Sequence, residues 1–173
     1  MTVTCPGCGV GLPASGAQAE PRGLVASTEC YQVYGEVVAY GHRHAGVLGR
    51  WHQTCVDAYA AQHVGPDTTP LRVCFALNTL YLVLERGYTG LQARAAHGFL
   101  ANTYGTDGWP RFDPPAHTGA VTVVDVALTS GPEEQADAVE RWGRTVWAVW
   151  SHVHAEVREL TDRQLGQGWR VPE

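Results

Sequence analysis

The alternation of apolar and polar positions along the chain is helical almost throughout. The segment TTPLRVCFALNTLYLVLERG (68–87) is apolar nearly all round, the pattern of a helix buried on every side. Thr69 is placed to cap it, Pro70 falls at its first position, and Gly87 ends it. YTGLQARAAHGFLANTYG follows at once, with Thr89 and Gln92 at capping-box spacing and Gly105 at the end. Upstream, STECYQVYGEVVAYG reads as a helix capped by Ser27, and a second covers about residues 46 to 63. The segment from Ser130 to Gly166 predicts one long helix. Ser130 and Glu133 would form its capping box, and Trp142, Val146, Val149, Trp150, Val153, Val157 and Leu160 form its apolar stripe. AVTVVDVAL (120–128) is open between strand and helix, because its valines favour the first and the Thr122/Asp125 spacing the second. The expected fold is all-α, a single-domain bundle of about five helices over 27–165. Residues 1–26 form a metal knuckle and irregular chain, and 166–173 a tail.

Between the fourth helix and AVTVVDVAL lies GTDGWPRFDPPAHTG, a loop long enough to be a candidate for function. Six tryptophans and a low proportion of charge point to buried or concave surface. A net charge of −5 and the lack of a basic run argue against nucleic acid as a partner. No apolar stretch approaches the length of a membrane span and no secretion signal opens the chain, so a cytoplasmic protein with reduced thiols is expected.

Against that background CPGCG (5–9) reads as half of a zinc site. Cys5 and Cys8 supply two thiolates, and Gly7 and Gly9 allow the turn that aims both at one ion. No second C-x2-C follows. Cys30, in the first turn of its helix, is the natural third ligand, since the positive helix end favours a thiolate. The fourth is sought in WHQTCVDAYAAQH (51–63). On a helix, His52, Cys55, Val56, Tyr59, Gln62 and His63 share one face and Asp57 points elsewhere. His52 and His63 stand about 16 Å apart along the axis, so only one of them binds the ion. His52 is assigned to the metal, with Cys55 as its rival, and His63 to a pocket beside Tyr59. His97 and His154 join that pocket as candidate acid/base groups, whereas His152 belongs to a solvated face.

The order CPGCG, then S-x-x-C-x-x-x-Y (Ser27, Cys30, Tyr34), then H-x-x-x-x-D-A-Y-x-x-Q-H (His52, Asp57, Tyr59, Gln62, His63) resembles an uncharacterised bacterial family. The likeness continues through LVLERGYTG (82–90), Ala96-His97, WPRFDPP (109–115), TVVDV and VWAVW (146–150). Members of that family often carry F-H-L where this chain has Phe75, Ala76 and Leu77, so a histidine is missing from its central helix. The resemblance implies a shared fold and metal knuckle, and no activity.

None of the common nucleophile, nucleotide or metalloprotease motifs occurs. The reading favoured is a zinc-binding enzyme acting on a small-molecule substrate, by an acid/base, hydrolytic or tailoring step such as secondary metabolism uses. In it His63, Tyr59, His97 and His154 carry the chemistry. The alternative is a non-enzymatic, zinc-stabilised regulator or adaptor that binds a protein partner. A closed four-ligand ion with no catalytic pocket beside it favours the second; an apolar cavity with converging histidines favours the first.

Overall fold

The computed structural model describes residues 1–16 and 21–172. The chain begins with a two-stranded antiparallel ribbon, β1 (Thr2–Thr4) and β2 (Gly11–Pro13), in the register Thr2↔Pro13, Val3↔Leu12 and Thr4↔Gly11. Helices follow: α1 (Thr28–Arg43), α2 (Ala45–Leu48), α3 (His52–Gln62), α4 (Pro70–Leu84), α5 (Gly90–Tyr104), α6 (Val123–Ala127), α7 (Pro132–Val149) and α8 (His154–Leu165). The all-α expectation therefore holds, with a short ribbon flanking the knuckle that the sequence did not announce. No helix among the described residues is long and apolar enough to cross a membrane.

Local signals account for most helix starts. The Ser27 hydroxyl accepts from the Cys30 N–H, and the Thr69 hydroxyl from the Arg72 N–H, with Pro70 at the first turn. Both capping boxes at Thr89/Gln92 and Thr122/Asp125 close, and the second turns the ambiguous valine run into α6 rather than a strand. The box expected at Ser130/Glu133 does not form. Gly131 is the N-cap, and the Glu134 carboxylate takes the Ser130 N–H at 2.7 Å.

Two expected helices are interrupted. Residues 49–51 form a 3-10 turn between α2 and α3. The long C-terminal helix breaks after Val149 at a second such turn, Ser151–Val153. There the Trp150 indole is fully buried, with its N–H on the Ala61 carbonyl at 3.2 Å, and the Trp147 carbonyl takes both the Trp150 backbone N–H at 3.0 Å and a hydrogen bond with the His154 ring at 2.8 Å. The apolar period runs straight through the break, so the sequence pattern alone does not show it.

The core gathers around α3 and α4. α3, drawn from a polar-looking sequence, is buried along nearly its whole length from Thr54 to Gln62. The Gln62 side chain explains how so polar a helix sits inside. Its amide donates to the carbonyls of Thr118 and Val121, both at 2.8 Å, and its carbonyl accepts from the buried Trp142 indole at 2.9 Å. One glutamine thus satisfies itself and pins the end of the long loop to the bundle.

Candidate metal centre

The turn joining β1 to β2 carries the two knuckle cysteines. The Cys5 N–H bonds to the Val10 carbonyl at 2.8 Å and the Gly9 N–H to the Cys5 carbonyl at 2.9 Å, with Gly9 at φ 77°. This closed turn presents both sulfurs on one side. The cap of α1 brings Cys30 beneath them. At the far end of α3 the chain leaves the helix at His63, whose carbonyl accepts the Val25 N–H at 2.8 Å. That bond lays the segment preceding α1 along residues 63–65 and docks the knuckle at the C-terminal end of α3.

Cys5, Cys8, Cys30 and His63 consequently form one buried cluster whose ligand atoms all lie within 4.8 Å of one another. The Sγ atoms of Cys8 and Cys30 are 3.8 Å apart, and the Cys30 Sγ is 3.5 Å from the His63 Nε2. A tetrahedral ion with metal–sulfur bonds of about 2.3 Å and a metal–nitrogen bond of about 2.05 Å requires separations of about 3.8 Å and about 3.6 Å. The Cys8–Cys30 and Cys30–His63 separations are those a four-coordinate ion needs, and Cys5 lies within 4.8 Å of the other donors.

The surrounding groups hold these donors in place. His63 Nδ1 lies 2.8 Å from the Tyr59 carbonyl, so it carries the proton and leaves the Nε2 lone pair for the ion. The Tyr59 hydroxyl reaches the Cys30 sulfur at 3.7 Å, and the Ser27 N–H reaches the Cys5 sulfur at 3.4 Å. Rings of Tyr34, Tyr59 and His63 stack in a column, with centroid spacings of 4.1 and 4.0 Å. Gly7 is required by close approach, because a Cβ there would collide with the Val25 carbonyl and stand 2.5 Å from the His63 ring.

The electrostatics agree with a cation-binding cluster. Burial lowers the pKa of His63, but hydrogen bonds donated to the Cys5 and Cys8 sulfurs outweigh it and carry the ring up to about 9. Hydrogen bonds from Cys30 and Cys8 hold the Cys5 thiol far below its ordinary value, while the neighbouring Cys5 and Cys8 sulfurs, then burial, push Cys30 up. Once Cys5 is a thiolate, a second thiol of the cluster cannot ionise beside it without a positive charge among them. Burial and the adjacent Cys30 keep Tyr59 protonated, as a donor.

The fourth member of the cluster is His63, where the sequence pointed to His52. His52, assigned to the ion from the sequence, is not a member of the cluster. His52 lies at the opposite end of α3, its ring 4.6 Å from that of His42, and burial with the His42 charge lowers its pKa. Cys55 is buried and pushed up to about 12 by burial, outside the cluster. Nothing in the spacing singled out His63. The partial clue was its position four residues after Tyr59 and just before Val64-Gly65-Pro66, where the helix must stop.

The histidines expected to converge on a pocket do not meet. His97 is buried with its Nε2 3.1 Å from the Thr79 hydroxyl and its ring stacked on Phe75 at 4.4 Å. Burial lowers its pKa, with Asp57 opposing. Asp57, expected to face away, is itself buried and accepts from the Gln53 amide at 2.8 Å. Its pKa is raised by burial, offset in part by His97, Thr79 and Gln53. The D-A-Y-x-x-Q-H motif therefore divides its labour. Asp57 anchors this internal network, Tyr59 and His63 build the candidate metal centre, and Gln62 holds the loop. His154 stacks on Trp147 at 3.8 Å and tops α7, a structural duty. Ala76 is fully buried on α4.

No curated protein and no solved structure matches the chain. A family of unknown function (DUF5946) matches residues 3–151, which takes in the ribbon from Val3, the whole cluster and the bundle through α7. The chain belongs to that family.

Proposed function

We propose that Cys5, Cys8, Cys30 and His63 hold one zinc ion in a closed structural site, and that the protein is a zinc-stabilised helical binding module. The observation that carries the reading is the set of four buried donors within 4.8 Å of one another, with the Cys8–Cys30 and Cys30–His63 separations at tetrahedral values. Three thiolates and an imidazole are a common structural zinc shell, and they leave no coordination position for a reacting water. The ion ties three distant pieces together: the ribbon, the start of α1 and the end of α3. Binding free energy of this kind is folding free energy, so the ion fastens the N-terminal segment to the bundle.

Two further observations favour binding over catalysis. His97 and His154 are engaged in internal contacts rather than gathered at one cavity. Of the two cavities next to the centre, the one of about 330 Å³ is lined by no histidine, tyrosine or cysteine, and the wider one of about 620 Å³ over the knuckle brings a single histidine, His117, beside Cys8. Elemental analysis of purified protein tests the reading. One equivalent of zinc is expected in the wild type and in His52→Ala, and loss of metal in Cys30→Ser and His63→Ala. A folded wild-type protein without metal, or a His63→Ala variant that retains it, would contradict the proposal.

A further inference from the structure

The WPRFDPP loop is not explained by the metal centre. It is pinned from behind at three points. The Trp109 indole donates to the Gly105 carbonyl at 3.1 Å, the Cys74 thiol to the Pro110 carbonyl at 3.4 Å, and His152 Nε2 lies 2.9 Å from the Asp113 carbonyl. Trp109 and Phe112 are buried, and Trp109 meets Phe75 edge-on at 5.1 Å. A backbone held in this way fixes where the exposed Arg111 and Asp113 emerge.

Both emerge at the cavity of about 330 Å³. Its opposite wall is Val25 with Val64 to Pro66, and its floor includes Val73 of α4. That wall is also preformed. The Thr68 hydroxyl donates to the Gly23 carbonyl at 2.6 Å and accepts the Gly65 N–H at 2.9 Å, and a Cβ on Gly65 would collide with the Val25 side chain. The volume falls near the lower end of small-molecule sites, about 300–1,000 Å³. Neither the Arg111 guanidinium nor the Asp113 carboxylate has an ion-pair or side-chain hydrogen-bond partner among the described residues, and the two do not pair with each other.

An apolar chamber with one unpaired cation and one unpaired anion at its rim selects by charge. A simple anion is attracted by Arg111 and repelled by Asp113, and a simple cation the reverse. A molecule with both poles close together and an apolar remainder satisfies all three features. We infer that the cavity between the WPRFDPP loop and the 63–66 segment binds a zwitterion of the α-amino-acid class with an apolar side chain. The carboxylate meets Arg111, the ammonium meets Asp113, and the side chain enters between Val25, Val73 and Phe112. This site is separate from the ion and goes beyond the zinc reading.

Calorimetric titration of the full-length protein, with its metal content measured on the same sample, tests the inference. The probes are L-leucine, L-valine and L-phenylalanine, with N-acetyl-L-leucine (no ammonium) and L-leucinamide (no carboxylate) as controls. At least one of the three amino acids is expected to bind saturably. Each control should bind about tenfold or more weakly than L-leucine, the loss of one charge-assisted contact. Arg111→Ala should weaken L-leucine but leave L-leucinamide unchanged, and Asp113→Asn should weaken L-leucine but leave N-acetyl-L-leucine unchanged. Both side chains are exposed, so unaltered circular dichroism and melting are expected for the variants. No saturable binding of any of the three, equal binding of either control, or indifference to both substitutions would overturn the inference. Because metal content is read independently, that failure is distinct from a failure of the zinc site.

Discussion

Replacing Gly7 by alanine tests the packing of the metal centre directly. The new Cβ would stand 2.5 Å from the Cδ2 of His63 and closer still to the Val25 carbonyl oxygen, whereas ordinary contact begins at 3.4 Å. If the ring alone gives way, it must move by about 0.9 Å. Metal sites keep their bond lengths within about 0.2 Å, so a displacement of that size takes Nε2 out of bonding range. Moving the knuckle instead pulls Cys5 and Cys8 away from Cys30. Either way one donor is compromised. The zinc affinity should fall by at least about 100-fold, the upper end of what is seen when groups supporting a ligand are altered. Gly9→Ala is the control. Nothing lies within 4 Å of its Cβ, but its φ of 77° makes the left-handed backbone cost about 1–2 kcal/mol, near tenfold in affinity if strain and binding are fully coupled. Competition titration against a chromophoric chelator measures both. A Gly7→Ala protein within about threefold of wild type, or one less impaired than Gly9→Ala, would refute the placement of His63 over the knuckle.

Other consequences follow from the same geometry. Gln62→Ala removes three hydrogen bonds and leaves the fully buried Trp142 N–H without its acceptor, so stability should drop by about 2–4 kcal/mol in denaturant unfolding with zinc content unchanged. Cys5→Ser should destabilise far more than Cys74→Ser in thermal melts. Cys74, its thiol pushed up to about 12 by burial, makes only a hydrogen bond to Pro110, whereas Cys5 is one of the four clustered donors. His97 should titrate below the ordinary histidine value by NMR, and lower still in Asp57→Asn, which removes the charge that opposes burial. Its depressed pKa means the unfolded state binds the extra proton. Its contribution to stability is therefore present above about pH 6.5 and is lost as pH falls toward the folded value. A His97 that titrates at or above the ordinary value would contradict its burial in the neutral form.

The parts of this architecture that were legible in sequence are those written in short-range chemistry. Ser27, Thr69/Pro70 and the Thr89/Gln92 box act within one helical turn, and each does in the structure what its spacing announces. The cysteine pair is local in the same sense, and Cys30 lies just inside the capped start of α1. What could not be read depends on contacts between distant segments. His63 rather than His52 joins the cysteines because the Val25 N–H finds the His63 carbonyl, a bond across 38 positions that no periodicity records. The break after Val149 is made by Trp150 meeting Ala61 and by His154 supplying a partner to Trp147, while the apolar stripe continues unbroken across it. On α3 the helical wheel sets Gln62 on one face with His63 and turns Asp57 away from it, without telling which groups each will bond. Asp57 and Gln62 are both internal, their bonding capacity consumed by Gln53, the long-loop carbonyls and Trp142. Polar residues that satisfy one another inside a bundle carry the same letters as polar residues in water.

The central claim is that one zinc ion sits among Cys5, Cys8, Cys30 and His63 in a closed shell. X-ray absorption at the zinc edge of the purified protein tests it most directly. The account predicts a four-coordinate ion with three sulfurs near 2.3 Å and one imidazole nitrogen near 2.05 Å, unchanged in His52→Ala. An absent edge, a shell containing a water oxygen, or a nitrogen signal that disappears with His52 rather than with His63 would contradict it.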